Sequence, residues 1–140
     1  MKHKKFKCTP EVRARLMQAA EYIRTVPQKK FDMNTMRSGS VRTPECKSVG
    51  CFLGHITRFH EEWGVPLQTY RDYIDFTAFS EDALGVGRQS ETWAWLFSGL
   101  WSFRDNTPEG AAKRACYLLD NGLPDSWRKQ LAGEAELSYR

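Results

Sequence analysis

Apolar residues recur at helical spacing through most of this chain, and no strand-length alternation of apolar and polar positions interrupts them. Val12, Leu16, Ala19, Ala20 and Ile23 share one face of a predicted helix from about Pro10 to Thr25. Arg13, Glu21 and Arg24 point away from that face, and Pro27 stops the helix. Residues 28–42 (QKKFDMNTMRSGSVR) have no period and read as a loop, with room for short strands around Phe31–Met33. A second helix is expected from about Glu45 to Trp63, centred on Val49, Phe52, Leu53, Ile56 and Trp63. Gly64 ends it and Pro66 follows. Further on, a short helix is expected over Leu67–Phe76 with Tyr70, Tyr73 and Ile74 inward. A capped single turn follows at Ser80–Gly85, then a helix from Ser90 to about Leu100. A helix over Pro108–Asn121 is striped by Ala111, Ala112, Ala115, Cys116, Leu118 and Leu119, and a last short one runs from Pro124 to about Leu131.

Thr-Pro-Glu occurs at 9–11, 43–45 and 107–109. Each triplet has the grammar of a helix start. Thr caps, Pro occupies the first helical position where a missing N–H is harmless, and Glu meets the positive end of the dipole. These patterns predict an all-α, compact single-domain bundle of five to six helices, with the helix at about 45–63 buried at its centre. Residues 1–9 read as a basic N-terminal arm, 10–131 as the helical domain and 132–140 as a loosely held tail. Hydrophobic content of 41% and aromatic content of 13% supply enough core without disulfides.

Charge changes the picture at one end. Net charge is +4, yet residues 1–30 hold nine Lys and Arg against two acids, and the remainder is net acidic. Lys2, Lys4, Lys5 and Lys7 make a basic run suited to phosphates or an acidic protein surface, or to a solvated, frayed terminus. No apolar stretch reaches the ~20 residues of a membrane span, and the basic start lacks the apolar segment of a signal peptide. The expectation is a cytoplasmic protein of a bacterial or phage-infected cell, with no membrane partner and with Cys8, Cys46, Cys51 and Cys116 as thiols.

Candidate chemistry clusters in Cys46–Trp63 (CKSVGCFLGHITRFHEEW). Cys46, Cys51 and His55, completed by Cys8 or His3, are the ligands a zinc site could recruit. On one helix Cys51 and His55 lie about 40° apart, but His60 lies about 140° from His55, so the two histidines cannot share an ion. The usual C-x2-C pairing is absent, and the reading adopted is no metal and no cofactor: buried thiols beside ordinary histidines. A nucleophilic Cys51–His55 pair would also need an oxyanion site that the sequence does not display. Gly50 and Gly54 line a strip open to close packing.

The second unusual segment is Trp93–Phe103, with five aromatics in eleven residues. Trp93, Phe97, Leu100 and Trp101 are assigned to its inner face. Trp95 points away as the candidate exposed anchor, which Arg88 and Arg104 could join in stacking a base or nucleotide; the alternative is core packing with an indole edge hydrogen-bonded. Other motifs fail. Gly85-Val-Gly87 lacks a following Gly-Lys-Ser/Thr, Asp72 and Asp75 read as solvated acids, and no G-x-S-x-G or H-E-x-x-H occurs.

From residue 46 onward the chain resembles a group of small helical proteins of uncharacterised role from phages and bacteria. The matching residues are Cys46, Cys51, Gly54 and His55, then Leu96-Phe97, then Pro108-Glu-Gly-Ala-Ala-Lys-Arg114 ending in Gly122. Gly110 departs from that group's pattern, and its members commonly carry Trp at the His55 position, which implies that His55 need not be a ligand. The resemblance covers about two thirds of the chain and implies a helical fold and a phage or bacterial setting, without an activity. The expected function is non-enzymatic binding of a macromolecular partner, foremost a protein, as a phage accessory factor acting on a host system. The lysines, the 28–42 loop and Trp95 are the contacts. The alternative is a nucleotide or nucleic-acid binder using the basic arm, Arg88, Arg104 and the aromatics.

Overall fold

Three helix starts are built by the hydroxyls expected to cap them. Thr9 Oγ1 accepts from Val12 N at 3.1 Å, Ser90 Oγ from Trp93 N at 3.1 Å and Thr107 Oγ1 from Gly110 N at 2.9 Å. Each satisfies an N–H that the first turn leaves without an intrahelical partner. The computed structural model describes residues 2–34, 50–71 and 73–140, apart from the side chains of Tyr70 and Tyr73. Cys46, Val49, Asp72, the Thr43-Pro44-Glu45 start and the loop beyond Asn34 lie outside the described residues.

Helices α1 (Pro10–Ile23) and α6 (Pro108–Asn121) form the main packing pair. They run antiparallel. Arg13 at the start of α1 donates to Leu119 O near the end of α6, and Arg24 just past α1 pairs with Glu109 at the start of α6 at 3.2 Å. Leu16, Ala19, Ala20 and Ile23 of α1 and Ala111, Ala112, Ala115 and Leu118 of α6 are buried. The facing alanines let the two backbones approach closely.

The predicted central helix is shorter than its apolar pattern. Its described part is α2 (Phe52–Ile56), a 3₁₀ turn at Thr57–Phe59 and α3 (His60–Trp63), ended by Gly64 in the left-handed conformation. Helix cannot extend back through Gly50, because Gly50 N donates to Lys30 O and Gly50 O accepts from Asp32 N. That exchange forms a bridge between Phe31 and Gly50 and leaves Cys51 extended as the cap of α2. Burial of Phe52, Leu53 and Ile56 is complete, so this short rod does sit in the core.

Elsewhere the fold is mostly helical but not strictly all-α. The helix expected over Leu67–Phe76 is replaced by a tight hairpin, β2 (Thr69–Tyr70) against β3 (Tyr73–Ile74), with Arg71 at φ 51° in its turn. Thr, Tyr and Ile favour a pleated pairing over a helical turn. Asp75, read above as a solvated acid, is instead the cap of α4 (Phe76–Leu84), accepting from Ala78 N at 3.0 Å. The single turn expected at Ser80–Gly85 is therefore the second half of a longer helix. At the chain ends, β1 (His3–Lys4) pairs antiparallel with β4 (Leu123–Pro124), and α7 begins at Trp127 and ends at Leu131. The arm, for which a frayed terminus is one reading, is thus paired at His3–Lys4, and the tail read as loose buries Leu137 and Tyr139.

Gly122 and Gly64 separate backbone strain from contact. Both have positive φ, but a Cβ on Gly64 would meet nothing, whereas one on Gly122 would lie 2.6 Å from Lys4 O. Gly64→Ala is expected to cost about 1–2 kcal/mol from left-handed strain alone. Gly122→Ala should cost more in urea unfolding. It should also accelerate hydrogen exchange at Asp125, whose amide bonds Lys2 O at 2.9 Å, and Gly64→Ala should leave that amide protected.

Candidate functional site

Ser98 decides which aromatics face inward. Its extended backbone (φ −60°, ψ 136°) breaks the aromatic segment into α5 (Glu91–Phe97) and a 3₁₀ turn, Gly99–Phe103, whose Leu100 N is capped by Ser98 Oγ. Trp93, Trp95, Leu96, Phe97 and Trp101 are all buried. Trp95, expected as an exposed anchor, is 0% exposed and is a core residue. Its indole N–H donates to Arg114 O at 3.0 Å, and Trp101 donates to Trp95 O at 2.8 Å. Leu100, assigned to the inner face, is 55% exposed, and Phe103 is 85% exposed. A wheel drawn through one continuous helix misplaces Leu100 because the break at Ser98 resets the phase, and misplaces Trp95 because Arg114 and Tyr139 cover its outward side.

The supposed stacking set does not converge. Arg88 lies 5.9 Å from the ring of Trp93, which is itself buried. Arg104 donates to Gln130 O at 2.6 Å. Trp95 faces Arg114.

Beneath the 3₁₀ turn lies the most unusual electrostatic feature of the described residues. Arg114, on α6, is fully buried. Its guanidinium sits 4.1 Å from the ring centre of Trp101 and 5.5 Å from that of Tyr139. Nη1 donates to Tyr139 OH at 2.8 Å and to Asp105 O at 3.3 Å, and it pairs with Asp105 Oδ2 at 3.8 Å. Tyr139 OH in turn donates to Asp105 Oδ2 at 2.8 Å, and Thr107 Oγ1 donates to Asp105 Oδ1 at 2.9 Å. Burial holds the Arg114 pKa below its usual value, opposed by Tyr139 and Asp105. Burial pushes the Tyr139 phenol up to about 12, with Arg114 working the other way. Among the described residues, Arg114 Nε and Nη2 have no hydrogen-bond partner; the electron-rich ring of Trp101 partly offsets that cost.

Sequence reasoning passed over Arg114. The available signal was its wheel position: it falls on the buried side with Ala111 and Leu118, three and four residues away. Gly110, odd in a helix, has the same cause. A Cβ there would meet Asp105 Cγ at 2.6 Å, so the glycine makes room for the carboxylate.

Cys51 and His55 of the cysteine–histidine segment are both held within the packing. Cys51 Sγ accepts from Gly54 N at 3.4 Å, in the capping role that serine more often fills. Burial pushes its thiol up to about 11, with backbone hydrogen bonds working the other way. His55 is buried, stacks on Phe31 and contacts Lys30 O at 2.6 Å. A carbonyl only accepts, so that contact places the proton on Nε2. His3 instead contacts Tyr117 OH at 2.6 Å. Among the described residues no three His, Cys, Asp or Glu side chains are placed to hold a metal ion, and Cys46 lies outside them.

Lys2, Lys4, Lys5 and Lys7 all expose their side chains on the ordered arm; Lys4 pairs with Glu91 at 3.7 Å. No described helix is long and apolar enough to cross a membrane. No family model, no curated protein and no solved structure matches this chain.

Two measurements probe these assignments. Tyr139→Phe removes the bridge between Arg114 and Asp105 and is expected to lower unfolding free energy by about 1–3 kcal/mol, the cost of buried polar groups left unmatched. Asp105→Asn keeps a residue tolerant of positive φ but strips the countercharge, so a loss of about 3 kcal/mol or more is expected in urea titrations. For the thiols, burial covers Cys51 and pushes it up to about 11. Iodoacetamide at neutral pH should therefore label half-buried Cys8 and Cys116 well before Cys51, read by peptide mass spectrometry.

Proposed function

We propose that this chain is a non-catalytic binding protein that engages a protein partner through its Gly99–Phe103 turn. The observation that carries the reading is the exposure of Phe103, at 85%, beside Leu100, at 55%. In a 3₁₀ turn, side chains three apart eclipse, so these two form one apolar patch. Met17, 44% exposed on α1, is the other large apolar side chain open to solvent among the described residues. Moving a phenyl ring from water into a partner's pocket contributes about 1.5–3 kcal/mol, the scale of a binding hot spot. The turn rests on buried Trp101 and Arg114, so little order has to be gained on binding.

Thiol chemistry finds little support at Cys51, which burial keeps protonated. The resemblance to small phage and bacterial proteins suggests the setting we attach to the reading: a cytoplasmic accessory factor that blocks or redirects a host system. The partner's identity is open, and the test is comparative. Phe103→Asp and Leu100→Asp should keep the unfolding midpoint near wild type, since both side chains are exposed. They should reduce capture of any partner by tenfold or more, as expected from losing about 1.4 kcal/mol or more of contact. Equal capture by wild type and both variants would overturn the proposal.

A further inference from the structure

The basic arm is held in place although its charged side chains make little of the fold. His3 and Lys4 pair with Pro124 and Leu123, Asp125 N bonds Lys2 O, and Phe6 packs against the core. The backbone is therefore pinned on both sides of the lysines while Lys2, Lys4, Lys5 and Lys7 remain exposed. In an extended segment, residues two apart lie on one side, about 6.6 Å from each other. Lys2 and Lys4, either side of His3 at β1, form one such pair; Lys5 and Lys7 flank Phe6, which packs against the core. A groove of about 340 Å³ lies beside them, lined by Lys4, Lys5 and Lys7 together with Val86, Ser90 and Thr92. A second groove, about 490 Å³, lies along the arm's other flank, with His3, Lys5 and Arg13 in its lining.

Three acids border the arm. Glu91 pairs with Lys4, Asp120 pairs with Arg13 at 3.6 Å, and Asp125 follows β4. They leave Lys2, Lys5 and Lys7 without an ion pair among the described residues.

We infer that this arm is a docking surface for the phosphate backbone of nucleic acid, engaged without sequence preference. Charge complementarity identifies the occupant: four exposed lysines on an arm held to the fold, beside a groove, meet a chain of anions. A membrane surface fits less well, because Phe6, the large apolar side chain of the arm's described residues, packs against the core instead of standing free to insert among lipids. A protein partner would look for an exposed apolar anchor here, and that feature lies on the Gly99–Phe103 turn instead. This surface is separate from the Phe103 patch, so either inference can fail alone.

The probe is a short fluorescein-labelled oligo-thymidylate, followed by anisotropy between about 50 and 200 mM salt. Binding in the micromolar range at the lower salt is expected. The log–log salt slope should be about −2 to −3, corresponding to three or four phosphate contacts on a single strand. Replacing Lys2, Lys4, Lys5 and Lys7 together by Ala should flatten the slope and weaken binding tenfold or more, with an unchanged circular dichroism melt. Lys113→Ala with Lys129→Ala, exposed lysines on other elements, should stay within about twofold and controls for loss of surface charge away from the arm. Absence of oligonucleotide binding at the lower salt would sink the inference. So would equal loss in the control pair, or binding to phosphatidylserine vesicles without binding to the oligonucleotide.

Discussion

A guanidinium with no exposed surface is the constraint around which the rest of the described structure is arranged. Removing the Arg114 charge from water costs several kcal/mol unless other groups replace the lost hydration. Asp105 supplies the countercharge, Tyr139 the hydrogen bond and Trp101 the ring face. Each has its own requirement. Asp105 sits at φ 52°, a left-handed conformation that Asp tolerates better than most residues. Its carboxylate lies over the first turn of α6, where the helix dipole favours negative charge and where Gly110 has no side chain to obstruct it. Glycine in a helix costs about 1 kcal/mol relative to alanine, a cost the carboxylate position requires.

The same cluster ties together segments far apart in sequence. Trp101 belongs to the 3₁₀ turn, Arg114 to α6 and Tyr139 to the tail. Gln130 adds a second attachment, accepting from Ser138 N and Oγ while its own carbonyl accepts from Arg104. The tail is thereby a strap across the base of the aromatic turn. What Leu100 and Phe103 present outward is set by what Trp101, between them, must do inward.

How much of this was legible in the sequence follows from range. Thr9, Ser90, Thr107 and Gly64 act within four residues of themselves, and the helix ends they mark are where local chemistry puts them; Gly122 marks its end locally too, but its need for glycine also comes from Lys4. The buried face of α1 is equally local, being a single unbroken period. Trp95 was misread because its surroundings come from Arg114 and Tyr139, neither of which a helical wheel contains. The start of α2 was misread because Gly50 spends its hydrogen bonds on Lys30 and Asp32, some twenty residues earlier. The hairpin at 69–74 has too few residues for its alternation to register. At the candidate site the lysines were legible as charge, but the pairing of His3 and Lys4 with β4 was not, and Phe103 was hidden by the break at Ser98.

Function is sought most profitably in what the fold does not require. Trp101 must be aromatic to lie against Arg114, but nothing in the packing asks for a phenyl ring at 103, where a polar residue would serve the turn as well. Leu100 likewise leaves more than half its side chain in water. At the other surface, the arm needs Phe6 for packing and the backbone of His3 and Lys4 for pairing, yet it carries four lysines, only one of them in an ion pair among the described residues. By contrast Cys51, His55 and Trp95, chemically the richest side chains in the sequence, each have a structural task that their surroundings explain. The residues left over after folding is accounted for are one apolar pair and one row of cations, and they differ in the contacts they can make: apolar packing into a pocket at the turn, salt-dependent pairing with anions at the arm.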